Sequence, residues 1–225
     1  MPDAGGAPRS SPNLALGRHP ERGASDPALI REIIDSQRIC HVAFSVDGWP
    51  YTVPTVHARD GDRLFLHGST LSRMLTTLDG GVPVCVTVTA FDGLVCARSA
   101  FNHSINYRSA MVFGTATPVE GIGKLDALRV IVESVMPGRW DEVRAPKSAE
   151  LKATDVVSLP LEMATAKVRS GGPVDAPGDR DLRIWAGVLP LHEHVGKPVD
   201  VPEDVAALPL PPSVRALLDL NGPRG

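Results

Sequence analysis

The fold is decided by residues 39–58, which read ICHVAFSVDGWPYTVPTVHA. In this stretch β-branched and aromatic residues alternate with other residues on either side of Asp47-Gly48. That dipeptide is typical of a two-residue hairpin turn between antiparallel strands. The sequence therefore predicts a β-hairpin with strands at Ile39 to Val46 and Trp49 to Ala58.

Further strand signals follow along the chain. Runs rich in β-branched and aromatic residues lie at Arg63 to His67, Pro83 to Ala90, Leu94 to Phe101 and Tyr107 to Val119. A second turn is predicted at Asp60-Gly61, and a further hairpin turn at Asp92-Gly93. Six closely spaced strands predict a mainly β fold, either a barrel or a strongly curled antiparallel sheet, with short helices at its flanks.

The bulk composition predicts a single main domain with a tail at each end. The chain has 225 residues and a net charge of −3, which gives no electrostatic reason to expect nucleic acid or an anionic membrane as partner. The composition predicts a flexible arm at residues 1–24 and the folded domain at residues 25–192. It predicts a proline-rich extension at residues 193–225. Three cysteines without a CxxC pair, and no apolar run suited to a signal peptide or membrane span, predict a cytoplasmic protein.

Residues 67–73, HGSTLSR, combine the features of an anion site. A predicted strand runs through a glycine directly into the N-terminus of a predicted helix. Free backbone N–H groups, the hydroxyls of Ser69, Thr70 or Ser72, and the Arg73 guanidinium can converge there on a phosphate. The local sequence leaves a second interpretation open, which is an ordinary helix cap beside a surface arginine.

A second polar cluster, Asn106-Tyr107-Arg108-Ser109, stands at the start of a predicted strand. It offers donors suited to a phosphate or to the polar edge of a planar ring. A solvated strand edge is the alternative. Pro50 and Pro54 remove ladder donors from their strand, which indicates an edge or a bulge. The unpaired backbone of such a strand can form hydrogen bonds with the edge of a heterocycle. Alternatively, the prolines only protect the strand edge from aggregation.

Several short motifs occur in a recognisable order after the leading helix. They are DGxPxxxP in residues 47–54, LFLHGSTLSRML in 64–75, YRSAMVFGTA in 107–116 and WAGVLPL in 185–191. Together they resemble the pyridoxamine 5'-phosphate oxidase-like flavin-binding family, and more narrowly its branch of nitroimidazole-resistance-type proteins. The resemblance covers roughly residues 26–192.

The resemblance implies a six-stranded antiparallel split β-barrel that forms a homodimer and holds FMN non-covalently between its subunits. The residues that it implies as cofactor contacts are Thr55, Val56, His67, Gly68, Ser69, Ser72, Arg73, Asn106, Tyr107, Arg108, Ser109 and Trp185. The family often has a further basic residue where this chain has Ser72. A deazaflavin coenzyme is therefore kept as an alternative to FMN.

These features predict an FMN-dependent oxidoreductase that moves electrons from a nicotinamide to a small acceptor such as a nitro compound or a quinone. His103 and Tyr107 are the candidate proton donors. Two alternatives stay open: a flavin-binding module without turnover, and a haem-binding protein that uses a histidine. No metal site is predicted, because His192-Glu193-His194 is not a helical HExxH arrangement and is typical of a solvated loop.

Overall fold

Antiparallel strands dominate the structure. The computed structural model describes residues 11–14, 19–199 and 208–220. Within these ranges a single sheet has ten strands: β1 (Gly23–Ala24), β2 (Ile39–Val46), β3 (Trp49–Asp60), β4 (Arg63–Ser69), β5 (Pro83–Cys96), β6 (Ser104–Thr115), β7 (Thr117–Pro118), β8 (Thr154–Pro160), β9 (Met163–Arg169) and β10 (Gly187–Pro190). The α-helices in the same ranges are α1 (Pro27–Asp35), α2 (Arg73–Asp79), α3 (Gly121–Val135), α4 (Ser148–Lys152) and α5 (Pro212–Leu220).

The sheet closes on itself as a barrel. From β5, hydrogen-bonded neighbours run in the order β2, β3, β4 and β8. β8 then pairs with β7, where Thr117 opposes Ser158. β7 follows β6 after one residue, Ala116, and β6 pairs along β5. The pairings thus return to the starting strand, which is how β-proteins remove exposed sheet edges.

The first predicted hairpin is confirmed. β2 and β3 pair from Ile39 and Val56 down to Val46 and Trp49. Asp47 and Gly48 have φ values of 51° and 80°. Positive φ at both central residues is what a type I′ turn requires, and it matches the twist of the two strands.

Two helices fill the ends of the barrel. Asp26 caps α1 by accepting a hydrogen bond from the Ala28 N–H at 3.0 Å. The buried isoleucines of α1 and the buried Met74, Leu75 and Leu78 of α2 join one core with the inward side chains of the strands. Full burial of each large aliphatic side chain contributes about 1.5 to 3 kcal/mol. Helix α3 packs outside the barrel through Ala127 and Ile131.

The strand count and one turn differ from the prediction. Ten strands occur in the described residues rather than six, although the mainly β antiparallel class is confirmed. Asp92-Gly93 forms no turn, because β5 continues through it between β6 and β10. Phe91 opposes Tyr107 and Gly93 opposes Asn106, so Asp92 is the extra residue of a β-bulge.

Segments of both predicted tails belong to the folded body. Residues 23–24 pair with β9 as β1, and α5 is anchored where Ser213 donates to the carboxylate of Glu142. The rest of these tails at 1–10, 15–18, 200–207 and 221–225 lies outside the described residues. None of the helices described here is long and apolar enough to cross a membrane.

Candidate cofactor site

A gap opens where β3 and β4 separate. β3 pairs with β4 only over His57–Asp60, and before that segment it pairs with β2 alone. β4 continues toward α2 along β8. Thr55 and Val56 therefore lie on a free edge of β3, and His67 lies on the facing part of β4. An unpaired edge presents backbone N–H and C=O groups that a ligand can use.

The turn from β4 into α2 uses several backbone donors that the sequence predicts to be free. The Thr70 N–H donates to the carbonyl of Ala153 at 3.1 Å. Leu71 and Ser72 donate to the hydroxyl and the carbonyl of Ser69 at 3.2 and 2.8 Å. The expectation that these backbone N–H groups are free is corrected here: Ser69 orders the turn, and the three N–H groups already have acceptors.

Two polar groups at the start of α2 stay available. Ser72 is the N-cap residue, but its side chain makes no capping hydrogen bond. The exposed Arg73 forms no ion pair with a described residue, and its guanidinium carbon lies 5.4 Å from the ring centroid of Tyr51 on β3. Arg73 therefore reaches from α2 to the free edge of β3. At Gly68 a Cβ would lie 3.3 Å from Cδ1 of Leu75, so this glycine lets α2 pack closely on β4.

His67 is a half-buried histidine whose ring has no partner. Its Nδ1 is buried and makes no hydrogen bond within the described residues. Burial lowers the pKa of His67, because the charged imidazolium loses hydration there. A neutral imidazole with an unused nitrogen is the form that ligates metal ions such as haem iron.

The second predicted cluster, on β6, is occupied by internal partners. The buried Asn106 donates from its amide to the carbonyl of Gly171 at 3.1 Å and accepts a hydrogen bond from Arg169. The Ser109 hydroxyl faces the carbonyl of Lys167 at 3.5 Å. These groups hold β6 against β9 and the loop that follows it.

Arg108 is also engaged within the fold. Its guanidinium contacts the carboxylates of Asp92 at 3.0 Å and Glu32 at 3.2 Å. The hydrogen bond to Asp92 raises the pKa of Arg108. The neighbouring Tyr107 is half-buried and opposes Phe91. In the described residues no hydrogen bond, ion pair or ring contact joins this cluster to the gap, so its cofactor contacts stay a prediction.

Two other predicted residues, and the segment discounted as a metal site, are exposed. Trp185 is exposed, and its ring packs over Gly187, where a Cβ would come within 2.9 Å of it. His103 is exposed, with Nδ1 at 2.9 Å from the carbonyl of Ser99. The His192-Glu193-His194 segment is exposed as well. Across the ranges that the structure describes, no group of three or more His, Cys, Asp or Glu residues could hold a metal ion.

The sequence missed an exposed apolar row that crosses three strands. Leu94 on β5 opposes both Ile105 on β6 and Leu189 on β10, and these side chains are 41%, 44% and 46% exposed. The bulge at Asp92 turns Phe91, 48% exposed, to the same face. The turn predicted at Asp92-Gly93 concealed this row, because it ended one strand at Ala90 and began the next at Leu94.

The sequence of this chain was compared with models of known protein families. The family model for pyridoxamine 5'-phosphate oxidase matches residues 26–168. The chain belongs to the pyridoxamine 5'-phosphate oxidase-like family. The resemblance of the sequence motifs to this family is thereby confirmed, and no curated protein matches the chain significantly.

Solved structures place this member of the family more narrowly. A FAD- and haem-binding protein from Mycobacterium smegmatis is 38% identical, with a TM-score of 0.84 over 87% of this chain and 97% of that chain. The flavocytochrome Anf3 from Azotobacter vinelandii is 34% identical, with a TM-score of 0.84 over 91% of this chain and 95% of that chain. A structure from Bacteroides thetaiotaomicron, described as a nitroimidazole resistance protein, is 24% identical with a TM-score of 0.56 over 65% of this chain and 86% of that chain, and supports the fold alone.

Proposed function

We propose that this chain is a redox protein that binds a flavin nucleotide and haem and accepts electrons from a nicotinamide. The observation that supports it most directly is the gap between β3 and β4. A free strand edge, the uncompensated Arg73 and the unpartnered His67 lie around this gap. When bound, a flavin supplies two-electron chemistry and haem iron supplies one-electron chemistry.

The flavin component of the proposal is supported by the edge of β3 and the start of α2. We propose that backbone groups at Thr55 and Val56, on the free edge of β3, bond the polar rim of a flavin ring, and that Arg73 and the Ser72 hydroxyl bond a phosphate. The sequence predicts FMN. The 38%-identical relative binds FAD, which contains the same ring and adds a second phosphate and an adenosine. We therefore propose FAD as the resident flavin and FMN as the alternative.

The haem component is supported by His67. Of the histidines in the described residues, His57 donates from Nε2 to the carbonyl of Ile34, and His103 donates from Nδ1 to the carbonyl of Ser99. The Nδ1 atoms of His57 and His67 are both buried without a hydrogen bond, but His57 is already bonded at Nε2, whereas neither ring nitrogen of His67 bonds to a described residue. The relatives that are 38% and 34% identical are a FAD- and haem-binding protein and a flavocytochrome. We propose that His67 would hold the haem by binding its iron through the imidazole.

We also propose that the protein is a homodimer, joined through the apolar row on β5, β6 and β10. An exposed apolar sheet face of this kind marks an interaction surface. A symmetric dimer would cover the same row on both subunits. Replacing Leu94 with Glu should convert the dimer to monomer in light scattering, whereas Leu125→Glu on α3 should leave the dimer intact.

We propose a cytoplasmic location for the protein. The three free cysteines agree with this location.

The test is to purify the protein from cells supplied with a haem precursor and to record its visible spectrum. Released chromophores are then identified by mass, which separates FAD from FMN and from a deazaflavin. Anaerobic addition of NADH or NADPH should bleach the flavin, and a nitro compound or quinone should restore its colour. A colourless protein that takes up none of added FAD, FMN or haemin would contradict the proposal. Bound flavin that no nicotinamide reduces would support a module without turnover.

A further inference from the structure

A second cleft lies at the opposite end of β4 from the cofactor gap. Its volume is about 730 Å³, which is within the size range of small-molecule sites. Arg63 at the start of β4 lines it, whereas the cofactor gap lies beside the end of β4. A strand of this length separates the two places by about 20 Å. Neither the family motifs nor the proposed cofactors account for this cleft.

The side chain of Arg63 is held in position without a carboxylate partner. Its Nη2 donates to the Ser158 hydroxyl at 2.7 Å, and its guanidinium carbon lies 5.2 Å from the ring centroid of Phe65. Ser158 is buried, 3% exposed, and its hydroxyl also lies 3.2 Å from the hydroxyl of Thr117. No described carboxylate lies within ion-pair distance of Arg63. Its remaining N–H groups are therefore available in a fixed place.

The other charged residues of the cleft define the charge that it accepts. Arg31 is neutralised by Asp62, which accepts from Nε and Nη2 at 2.9 and 2.7 Å. Glu162 lines the cleft, is exposed, and has no ion pair in the described residues. The cleft is therefore lined by one cation, Arg63, and one anion, Glu162, that have no ion-pair partner in the described residues. A ligand with a single negative charge can bind the Arg63 guanidinium. A second negative charge on the ligand would be repelled by the Glu162 carboxylate.

The remaining wall is apolar. Ile30 of α1, Leu161 in the turn after β8 and Ala164 of β9 line the cleft together with prolines. Burial of an apolar body against such a wall contributes about 25 cal/mol per Å². A guanidinium and a carboxylate form paired, charge-assisted hydrogen bonds. We propose that this cleft binds a small organic monocarboxylate, with its carboxylate on Arg63 and its apolar body against Ile30, Leu161 and Ala164.

The test is calorimetric titration of the protein, as purified, with naphthoate and with a naphthalene dicarboxylate. Naphthoate should bind, and the dicarboxylate should bind about tenfold more weakly because of Glu162. Arg63→Gln should weaken naphthoate binding about tenfold or more, since it removes the charge and the paired donors. Glu162→Gln should reduce the difference in affinity between naphthoate and the dicarboxylate. Arg129→Gln, an exposed arginine of α3 outside the cleft, is the matched control and should change neither affinity.

Three outcomes would overturn the proposal. They are absence of naphthoate binding at millimolar concentration, equal binding by wild type and Arg63→Gln, and displacement of naphthoate by added flavin. If Arg63→Gln fails to fold, Arg63→Lys and Glu162→Gln carry the same test through the ratio of the two affinities. The visible spectrum of each variant should match wild type, so a failure of the flavin proposal and a failure of this one are distinguished.

Discussion

The two polar clusters that the sequence singles out have the same kinds of side chain but different roles in the fold. At the junction of β4 and α2, Arg73 has no carboxylate partner among the described residues and His67 has a buried nitrogen without a hydrogen bond. On β6, Arg108 is shared between Asp92 and Glu32, and Asn106 donates to Gly171 and accepts from Arg169. A polar group whose bonds are already made inside the protein stabilises the fold, whereas an unused one is available to a ligand.

The difference comes from residues far away in the sequence. Asp92 is placed beside Arg108 by the bulge in β5, and Glu32 reaches it from α1. The junction of β4 and α2 lacks such partners because β3 turns away from β4 there. The comparison therefore predicts opposite consequences for mutations: loss of ligand at the junction and loss of stability on β6.

The largest expected effect is that of His67→Ala on haem. This change removes the proposed iron ligand, so we expect the Soret band of the purified protein to be lost. His103→Ala is the control, because His103 is exposed and already contacts a backbone carbonyl. The measurement is the haem content per protein by pyridine haemochrome. An unchanged haem content in His67→Ala would remove this residue from the site.

The second effect is on flavin affinity, where two arginines are compared directly. Arg73→Gln should raise the dissociation constant of the flavin about tenfold or more, because a charge-assisted bond to phosphate is lost. Its melting temperature should stay close to that of wild type. Arg108→Gln should instead lower stability by about 1 kcal/mol or less, since its pairs are partly exposed.

Flavin fluorescence titration and thermal unfolding of both arginine variants measure these two effects. The contrast between the clusters would be wrong if Arg108→Gln lost more flavin affinity than Arg73→Gln. That result would mean that the β6 cluster of one subunit meets the cofactor held by the other.

The third effect is on stability alone. Asn106→Ala should destabilise the protein by about 1 to 3 kcal/mol, because it leaves Arg169 and the carbonyl of Gly171 without partners. Ser72→Ala should change stability by less than about 0.5 kcal/mol, as its hydroxyl makes no capping bond. Urea unfolding of the two variants measures both. Equal losses in the two variants would show that the unused hydroxyl stabilises the fold after all.

The fold was predictable to the extent that its signals are local. The hairpin at Asp47-Gly48 needs only two residues with positive φ between alternating strands, and it is found where the sequence predicts it. The same dipeptide type at Asp92-Gly93 became a bulge, because β6 pairs on both sides of it and β10 adds a further strand. Pairing partners distant in sequence override a local turn signal.

The candidate site was predictable in its residue types but not in which of them are free. The strand-to-helix junction at His67 to Arg73 is visible in the sequence, and the structure places it beside the free edge of β3. The Ser72 N–H donates within the turn to Ser69, and the Thr70 N–H donates to Ala153, which is distant in the sequence. Hydrogen-bond partners of this kind are set by tertiary contacts, which a single sequence does not contain.

The smallest effect concerns pH and compares two histidines with lowered pKa values. Burial lowers the pKa of His57, although its hydrogen bond to the carbonyl of Ile34 opposes the shift, and burial alone lowers that of His67. Below about pH 6.5 the unfolded chain protonates these imidazoles while the folded chain does not. The stability is therefore fully present above this pH and falls as the pH drops toward the lowered folded pKa values.

Urea unfolding between about pH 5 and 8 should show this decline in stability. His57→Gln should make the decline shallower, because one of the two groups is gone. His41→Gln, at an exposed position of β2, is the control and should leave the slope unchanged. A slope that His57→Gln does not alter would mean that His57 is protonated in the folded protein, and that its bond to Ile34 outweighs its burial.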